Sequence, residues 1–165
     1  MILKGRNVEL VPFFGWDDWK YCFDLAIKHD KRLTEEMLVR EALTDGFQFY
    51  VGYVNGVKSG VVFSKHYRDG LTLDAYSDVS CRSLDSLEAA HLMLSHLLKF
   101  TPVVYVRIDK GNNKLHRLCK AIGLKYDHSE ESRTVYSKRR EEYQTFDWDT
   151  SGNKDKLQHY EATRP

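Results

Sequence analysis

The chain is short of the features that assign a sequence to a class at sight. It has only 3 cysteines, and Cys22, Cys81 and Cys119 are too few and too far apart for a disulfide framework or a Cys-x-x-Cys metal pair. Reduced thiols are expected. The histidines supply no substitute: His91 and His96 lie five apart on an expected helix, roughly 140° around its axis, so one ion cannot bind both. No metal site is expected. Excess charge of one sign is also missing, since 25 Lys and Arg against 24 Asp and Glu leave a net charge of +1. No long-range field then steers the protein towards nucleic acid or anionic lipid. No apolar run approaches the ~20 residues of a spanning helix, and the opening Met1-Ile2-Leu3-Lys4 is too short for a signal peptide. Neither nucleic acid nor membrane is expected as a partner, and a cytoplasmic location is. There is no internal repeat.

What is present suffices for one core. A chain of 165 residues buries roughly 70% of its unfolded surface. Residues 6–13 alternate Val8, Leu10 and Pro12 with Asn7, Glu9 and Val11, a first strand closed by proline. Trp16, Trp19, Phe23, Ala26 and Ile27 then share one helical stripe, with Asp17, Asp18, Lys20 and Lys28 largely off it, which places the tryptophans in the core. A second helix is expected over residues 34–43, capped by Thr34, stopped by Asp45-Gly46, and burying Met37, Leu38 and Leu43. From Phe47 the period becomes two: Phe47, Phe49, Val51 and Tyr53 share a face before Asn55-Gly56 turns the chain into residues 57–65. Asn-Gly between apolar runs marks a hairpin because both turn residues need positive φ.

Residues 71–79 read as one strand, with Leu71, Leu73, Ala75, Ser77 and Val79 on one face and Thr72, Asp74, Tyr76 and Asp78 on the other. Leu84, Leu87, Ala90, Leu94, Leu97 and Leu98 trace a long helix that Pro102 stops. Residues 103–108 form a near-continuous apolar run, the pattern of an interior strand with a parallel neighbour. After Gly111 comes a short helix with Leu115, Leu118, Cys119 and Ile122 inward and Gly123 as its stop. Residues 124–126 and 133–137 close the sheet. Beyond Lys138 the character changes. In Lys138-Arg139-Arg140-Glu141-Glu142 the acids cancel the bases, giving a solvated face rather than a nucleic-acid patch. Tyr143, Phe146, Trp148 and Tyr160 follow among polar residues. Residues 1–138 are expected to form one domain and 139–165 a polar, aromatic-containing extension whose rings could anchor a protein partner or a larger assembly.

Strand, two helices, hairpin, strand, long helix, buried strand, short helix and two strands is a specific order. It resembles the GNAT superfamily of N-acetyltransferases, and three stretches carry the resemblance. Leu3-Lys4-Gly5-Arg6-Asn7-Val8-Glu9-Leu10-Val11-Pro12 is similar to the first strand of the RimJ/RimL-like branch. The passage from strand to long helix over residues 71–100 occupies the place of the acyl-CoA motif. Asn112-Asn113-Lys114-Leu115-His116-Arg117-Leu118-Cys119-Lys120-Ala121-Ile122-Gly123-Leu124 is similar to the family's N-x-x-A-x-x-L-Y-x-K-x-G-F. The resemblance covers residues 3–138 and implies an α/β fold with a mixed central sheet flanked by helices.

In that family the central parallel strands splay apart, and the pantetheine of acetyl-CoA lies in the gap beside the strand that here is residues 71–79. Its pyrophosphate rests where backbone N–H groups and a helix dipole attract anions. Carried over by position, the resemblance implies a cradle made of Val79, Cys81, Arg82, Ser83, Leu84, Asp85, Ser86 and Leu87, with Asn112 at the helix-start asparagine. The family's loop reads Q/R-x-x-G-x-G/A, whereas this chain reads Arg82-Ser83-Leu84-Asp85-Ser86-Leu87 without glycine. Asp85 and Glu88 fall in the first turns of the helix, and two unit charges about 6 Å apart at a dielectric near 20 repel by about 3 kcal/mol. Transfer to an amine needs a base and often an acid. The family's tyrosine acid aligns with Cys119, which fits the apolar stripe equally well. Asp74 and Tyr76 share a face beside the expected gap and are the candidate base and positioning group, or else part of a solvated sheet face. Asn112 is equally explained as a cap. The function implied is acyl-CoA-dependent acetyl transfer to an amine of a protein or small molecule. The alternative is a non-catalytic GNAT-like module that binds or assembles through its tail.

Overall fold

The computed structural model describes residues 1–44 and 46–143. β1 (Leu3–Lys4) and β2 (Val8–Pro12) lead into α1 (Gly15–His29) and α2 (Glu35–Ala42), and β3 (Gln48–Val54) and β4 (Val57–Ser64) form the hairpin. Then come β5 (His66–Tyr67), β6 (Gly70–Thr72), β7 (Asp74–Ser77), α3 (Ser83–Leu97), β8 (Val103–Asp109), α4 (Asn113–Ala121), β9 (Lys125–Ser129) and β10 (Arg133–Arg139). A 3-10 turn over Arg140–Glu142 follows. The remaining aromatics of the extension, Phe146, Trp148 and Tyr160, lie outside the described residues. No helix among the described residues is long and apolar enough to cross a membrane.

Local chemistry sets the boundaries. Asn55 and Gly56 adopt φ of 50° and 81°, so β3 and β4 close on a two-residue turn with Val54 opposite Val57. The Thr34 hydroxyl accepts the Met37 N–H at 3.2 Å and the Asn112 side chain accepts the Leu115 N–H at 3.3 Å. Each satisfies a donor that its helix leaves unpaired.

The strands form two five-stranded sheets, β1-β2-β3-β4-β7 and β5-β6-β8-β10-β9. The expected single strand over residues 71–79 is divided between them. β6 runs parallel to β8, with Leu71 opposite Val104 and Thr72 opposite Tyr105, and the Leu73 N–H reaches the Tyr105 carbonyl at 2.9 Å. One residue later β7 pairs antiparallel with β4 instead, from Phe63 opposite Asp74 to Gly60 opposite Ser77. Gly60 makes that approach possible, since a Cβ there would sit 2.8 Å from the Tyr76 carbonyl oxygen.

The main core lies between the sheets and α3 with α4: Leu10, Leu71, Leu73, Leu94, Leu97, Val104, Ile108 and Cys119 belong to it. α1 covers the opposite face, where Cys22 and Leu25 pack on Val61, with Phe49 and Tyr76 beside them. Three apolar expectations are corrected. The buried face of α1 is Cys22, Leu25 and Ala26, and Trp16, on the first turn, is 67% exposed. In α2 only Leu38 is buried, while Met37 and Leu43 face solvent. In α4, Leu115 also points outward. In each case the stripe is wider than the sheet surface available to cover it.

Candidate active site

The divide between the sheets sets the site. Among the described residues, past Leu73 the edge of β7 away from β4 has no strand partner, and neither does the edge of β8 away from β10 over residues 106–109. Two strand edges that share no ladder therefore diverge past Leu73, where β6 follows β8 and β7 follows β4. Ala75 keeps the inward alternation of Leu71 and Leu73 but is exposed.

On the α1 face of the divide stand Asp74 and Tyr76, and neither belongs to a solvated sheet face. Tyr76 packs against Phe63 at 5.8 Å and His29 at 5.4 Å between ring centroids. Burial, with Asp74 and Asp30 nearby, pushes its phenol up to about 12. The His29 Nε2 lies 2.8 Å from the Ser77 carbonyl, which only accepts, so that nitrogen carries the proton. Burial holds the Asp74 carboxyl above its ordinary value, against the opposing pull of Thr72, Lys65 and Arg107. The neighbouring acids are already paired: Glu41 with Lys65 at 2.5 Å, Glu130 with Arg107 at 2.9 Å, and Asp109 with Arg133 at 3.4 Å. Among the described residues Asp74 is the carboxyl at this point held by a hydrogen bond from Thr72 rather than by an ion pair, and its affinity for a proton suits it to collect one from an incoming ammonium.

At the other end of β7 the expected phosphate cradle takes a specific form. Val79 is fully exposed at the tip. The Ser80 N–H goes to the Asp78 carboxylate at 3.1 Å, the Cys81 N–H to the Asp78 carbonyl at 2.9 Å, and the Asp85 and Ser86 N–H groups to the Arg82 carbonyl, both at 3.1 Å. Much of the expected amide nest is thus used within the loop, while Ser83, Leu84 and Leu87 simply begin the helix. The cation there is Arg82, whose guanidinium grips Asp85 with two bonds of 3.0 and 3.2 Å. Asp85 is only 3% exposed. Cys81 places its sulfur 3.6 Å from the Ser86 hydroxyl, and Lys114 at the start of α4 is near enough to act on that thiol.

Glu88 departs from expectation. Its carboxylate turns away from the loop and takes the backbone N–H groups of Asn7 at 3.0 Å and Val8 at 2.6 Å, and a Cβ at Gly5 would strike it. It ties the β1–β2 turn to α3 and does not stand beside an anion at the loop.

Cys119 sits in the main core, and burial pushes its thiol up to about 12. This environment accords with a packing role for the residue. Asn112 is the cap of α4. Arg107 and Lys65, which surround Asp74, were missed as site residues. Arg107 had a visible signal, being the one charge inside the apolar run of β8. Among the described residues no cluster of His, Cys, Asp and Glu could hold a metal ion.

The arrangement is that of the GNAT acetyltransferase fold. An acetyltransferase from Agrobacterium tumefaciens superposes with a TM-score of 0.69 at 15% identity, covering 84% of this chain and 94% of that one. A probable GNAT acetyltransferase from Chromobacterium violaceum gives 0.68 at 16% identity, covering 86% and 87%. The ribosomal-protein α-N-acetyltransferase RimL in complex with coenzyme A gives 0.64 at 8% identity, covering 84% and 98%. No family model and no curated protein matches the sequence.

Proposed function

We propose that the protein is an acyl-CoA-dependent N-acyltransferase that moves an acetyl group to an amine by direct attack. The observation that carries this reading is the partner switch at Leu73, past which the edges of residues 74–77 and 106–109 diverge. A pantetheine chain is a slender strand of amides and fits between two such edges. At the loop a diphosphate would be held by the Arg82 guanidinium, in competition with Asp85, and by the start of α3 rather than by a glycine nest. Acetyl-CoA, when bound, supplies the activated thioester. Asp74 takes one proton from the ammonium, so that the nitrogen lone pair can attack the carbonyl carbon; the C–S bond then breaks, and the leaving coenzyme A thiolate takes up the second proton that the nitrogen gives up as the amide forms. Tyr76 stays a neutral phenol at physiological pH and orients the acceptor.

The test is calorimetric titration with acetyl-CoA, beside the variant Ala75→Phe. The wild-type protein is expected to bind and to melt several degrees higher at saturating ligand. Ala75→Phe, filling an exposed position in the gap, is expected to keep the unliganded melting temperature and lose the binding. A second reading, a GNAT-like module without catalysis that assembles through residues after 138, is favoured by the Arg82–Asp85 pair at the helix start. Absence of acetyl-CoA binding, with self-association or partner capture lost on truncation at 138, would select it.

A further inference from the structure

The face of the second sheet beside Asp74 carries more charge than the proposed reaction uses. β6 and β8 run in parallel register, with Leu71 opposite Val104 and Thr72 opposite Tyr105. Continued past the last shared bond, from the Leu73 N–H to the Tyr105 carbonyl, that register brings Asp74 level with Arg107 on one face. Lys65 is set beside them by Thr72, whose backbone N–H goes to the Lys65 carbonyl at 2.9 Å and whose hydroxyl accepts the Lys65 N–H at 3.3 Å. Two cations thus act on one carboxyl. Each is engaged by another. The Lys65 ammonium is taken by Glu41 of α2 at 2.5 Å. The Arg107 guanidinium gives Nε and one terminal nitrogen to the two Glu130 oxygens at 2.9 and 3.3 Å. That fork is braced by Tyr67: its hydroxyl donates to Glu130 at 3.2 Å, and the guanidinium lies over its ring, 5.0 Å from the centre. The side chains of the two pairs are only 22–40% exposed, so water and salt screen them less than a surface pair.

We propose that Glu41 and Glu130 are positioning residues of the transfer: by holding Lys65 and Arg107 in ion pairs, they keep Asp74 a base strong enough to take a proton from an ammonium. That Asp74 is the base rests on the transferase reading, whereas the effect of the two glutamates on its proton affinity does not. The same five charged groups allow two arrangements. A cation paired directly with a carboxyl lowers its proton affinity by about 1–3 pH units, and Asp74 held in that way would be a weak base. With each cation engaged by its own glutamate, three acids face two bases and the local charge is negative. Burial of Asp74 then raises its affinity for a proton, and Glu41 acts on it in the same sense. An arriving ammonium meets attraction rather than repulsion. The other titratable groups packed around this point are Tyr76 with His29 and Asp30 of α1 beside it, Arg133 at the start of β10, and the His128–Asp127 pair beyond the Tyr67 hydroxyl.

The test is the titration of the Asp74 carboxyl itself, followed by carbon NMR of protein labelled at its aspartate side-chain carboxyls and assigned with Asp74→Asn. Glu130→Gln and Glu41→Gln each exchange a carboxylate for an amide of the same shape. Each is expected to move the Asp74 midpoint down by about one pH unit, and the double variant by about two. Glu130→Asp keeps the charge and is expected to recover most of its shift. A midpoint that stays in place or rises in both folded single variants overturns the proposal. So does one that moves with His128→Gln instead, since the imidazole would then set it. With a short peptide bearing a free amine as acceptor, the acid limb of the acetylation rate is expected to follow the midpoint, and a limb that stays while the midpoint moves takes the role of base from Asp74 and overturns the proposal. Calorimetry with acetyl-CoA separates the two readings. A shifted midpoint in a protein that binds no acetyl-CoA supports the effect of the glutamates on Asp74 and overturns the transferase reading. An unshifted midpoint in a protein that binds it does the reverse.

Discussion

Replacing Asp85 with asparagine is expected to tighten coenzyme A binding even though it loosens the fold. In the wild-type protein the Arg82 fork is fully engaged by a carboxylate that is itself 3% exposed, so a diphosphate must compete with Asp85 for the same guanidinium. The bare repulsion between that carboxylate and one phosphate charge about 6 Å away is about 3 kcal/mol at a dielectric near 20. Arg82 already cancels much of it, and salt at physiological strength screens the rest over roughly 8 Å. A net gain of about 1.4 kcal/mol remains, or tenfold in affinity. The cost falls on stability. A carboxylate in the first helical turn contributes about 0.3–1 kcal/mol, and an ion pair whose arginine side chain is 60% exposed contributes at most about 1 kcal/mol, together a few degrees of melting temperature. Calorimetric titration with coenzyme A at low and high salt reads both. Tighter binding by Asp85→Asn, with the advantage shrinking at high salt, is the expected result. A folded variant that binds no better than wild type refutes the role given to Arg82.

Two further variants separate catalysis from packing. Asp74→Asn is expected to slow acetyl transfer by roughly 10²–10⁴-fold, and its effect on stability has a defined sign. Because burial raises the folded-state value, the unfolded carboxyl ionises first as pH rises, and the wild-type protein loses stability until the folded one follows. The variant escapes this loss, so differential scanning calorimetry should find it relatively more stable near pH 8 than near pH 3. An advantage that grows towards acid contradicts the assignment. Cys119→Ala is expected to cost about 1 kcal/mol of stability and, if the buried thiol only packs, to leave kcat unchanged. A large fall in kcat at intact fold would restore it as a proton donor.

The legible parts of the sequence were those decided by local chemistry. Asn55-Gly56 needs positive φ wherever it stands, Thr34 and Asn112 cap their helices with their own oxygens, and the apolar run of β8 can only be interior. The division of residues 71–79 was hidden because period-two alternation reports which face a residue takes and not which strand it pairs with. Leu71 and Leu73 keep their face while the hydrogen-bond partner changes from β8 to β4. Trp16 was misplaced for a related reason. Helical spacing defines a stripe, but how far the sheet extends beneath it is a tertiary fact. Arg82 and Asp85, three apart at a helix start, were visible as neighbours, whereas the turning of Glu88 towards Asn7 and Val8 was not.

The divide is tested most directly by hydrogen exchange of the backbone amides with and without acetyl-CoA. The edges of residues 74–77 and 106–109 are expected to exchange more slowly when the ligand is present, because a pantetheine chain lying between them takes up their hydrogen-bonding groups. Unaltered exchange in both segments at ligand concentrations that saturate binding elsewhere would mean that the gap between the sheets is not where the acyl carrier lies.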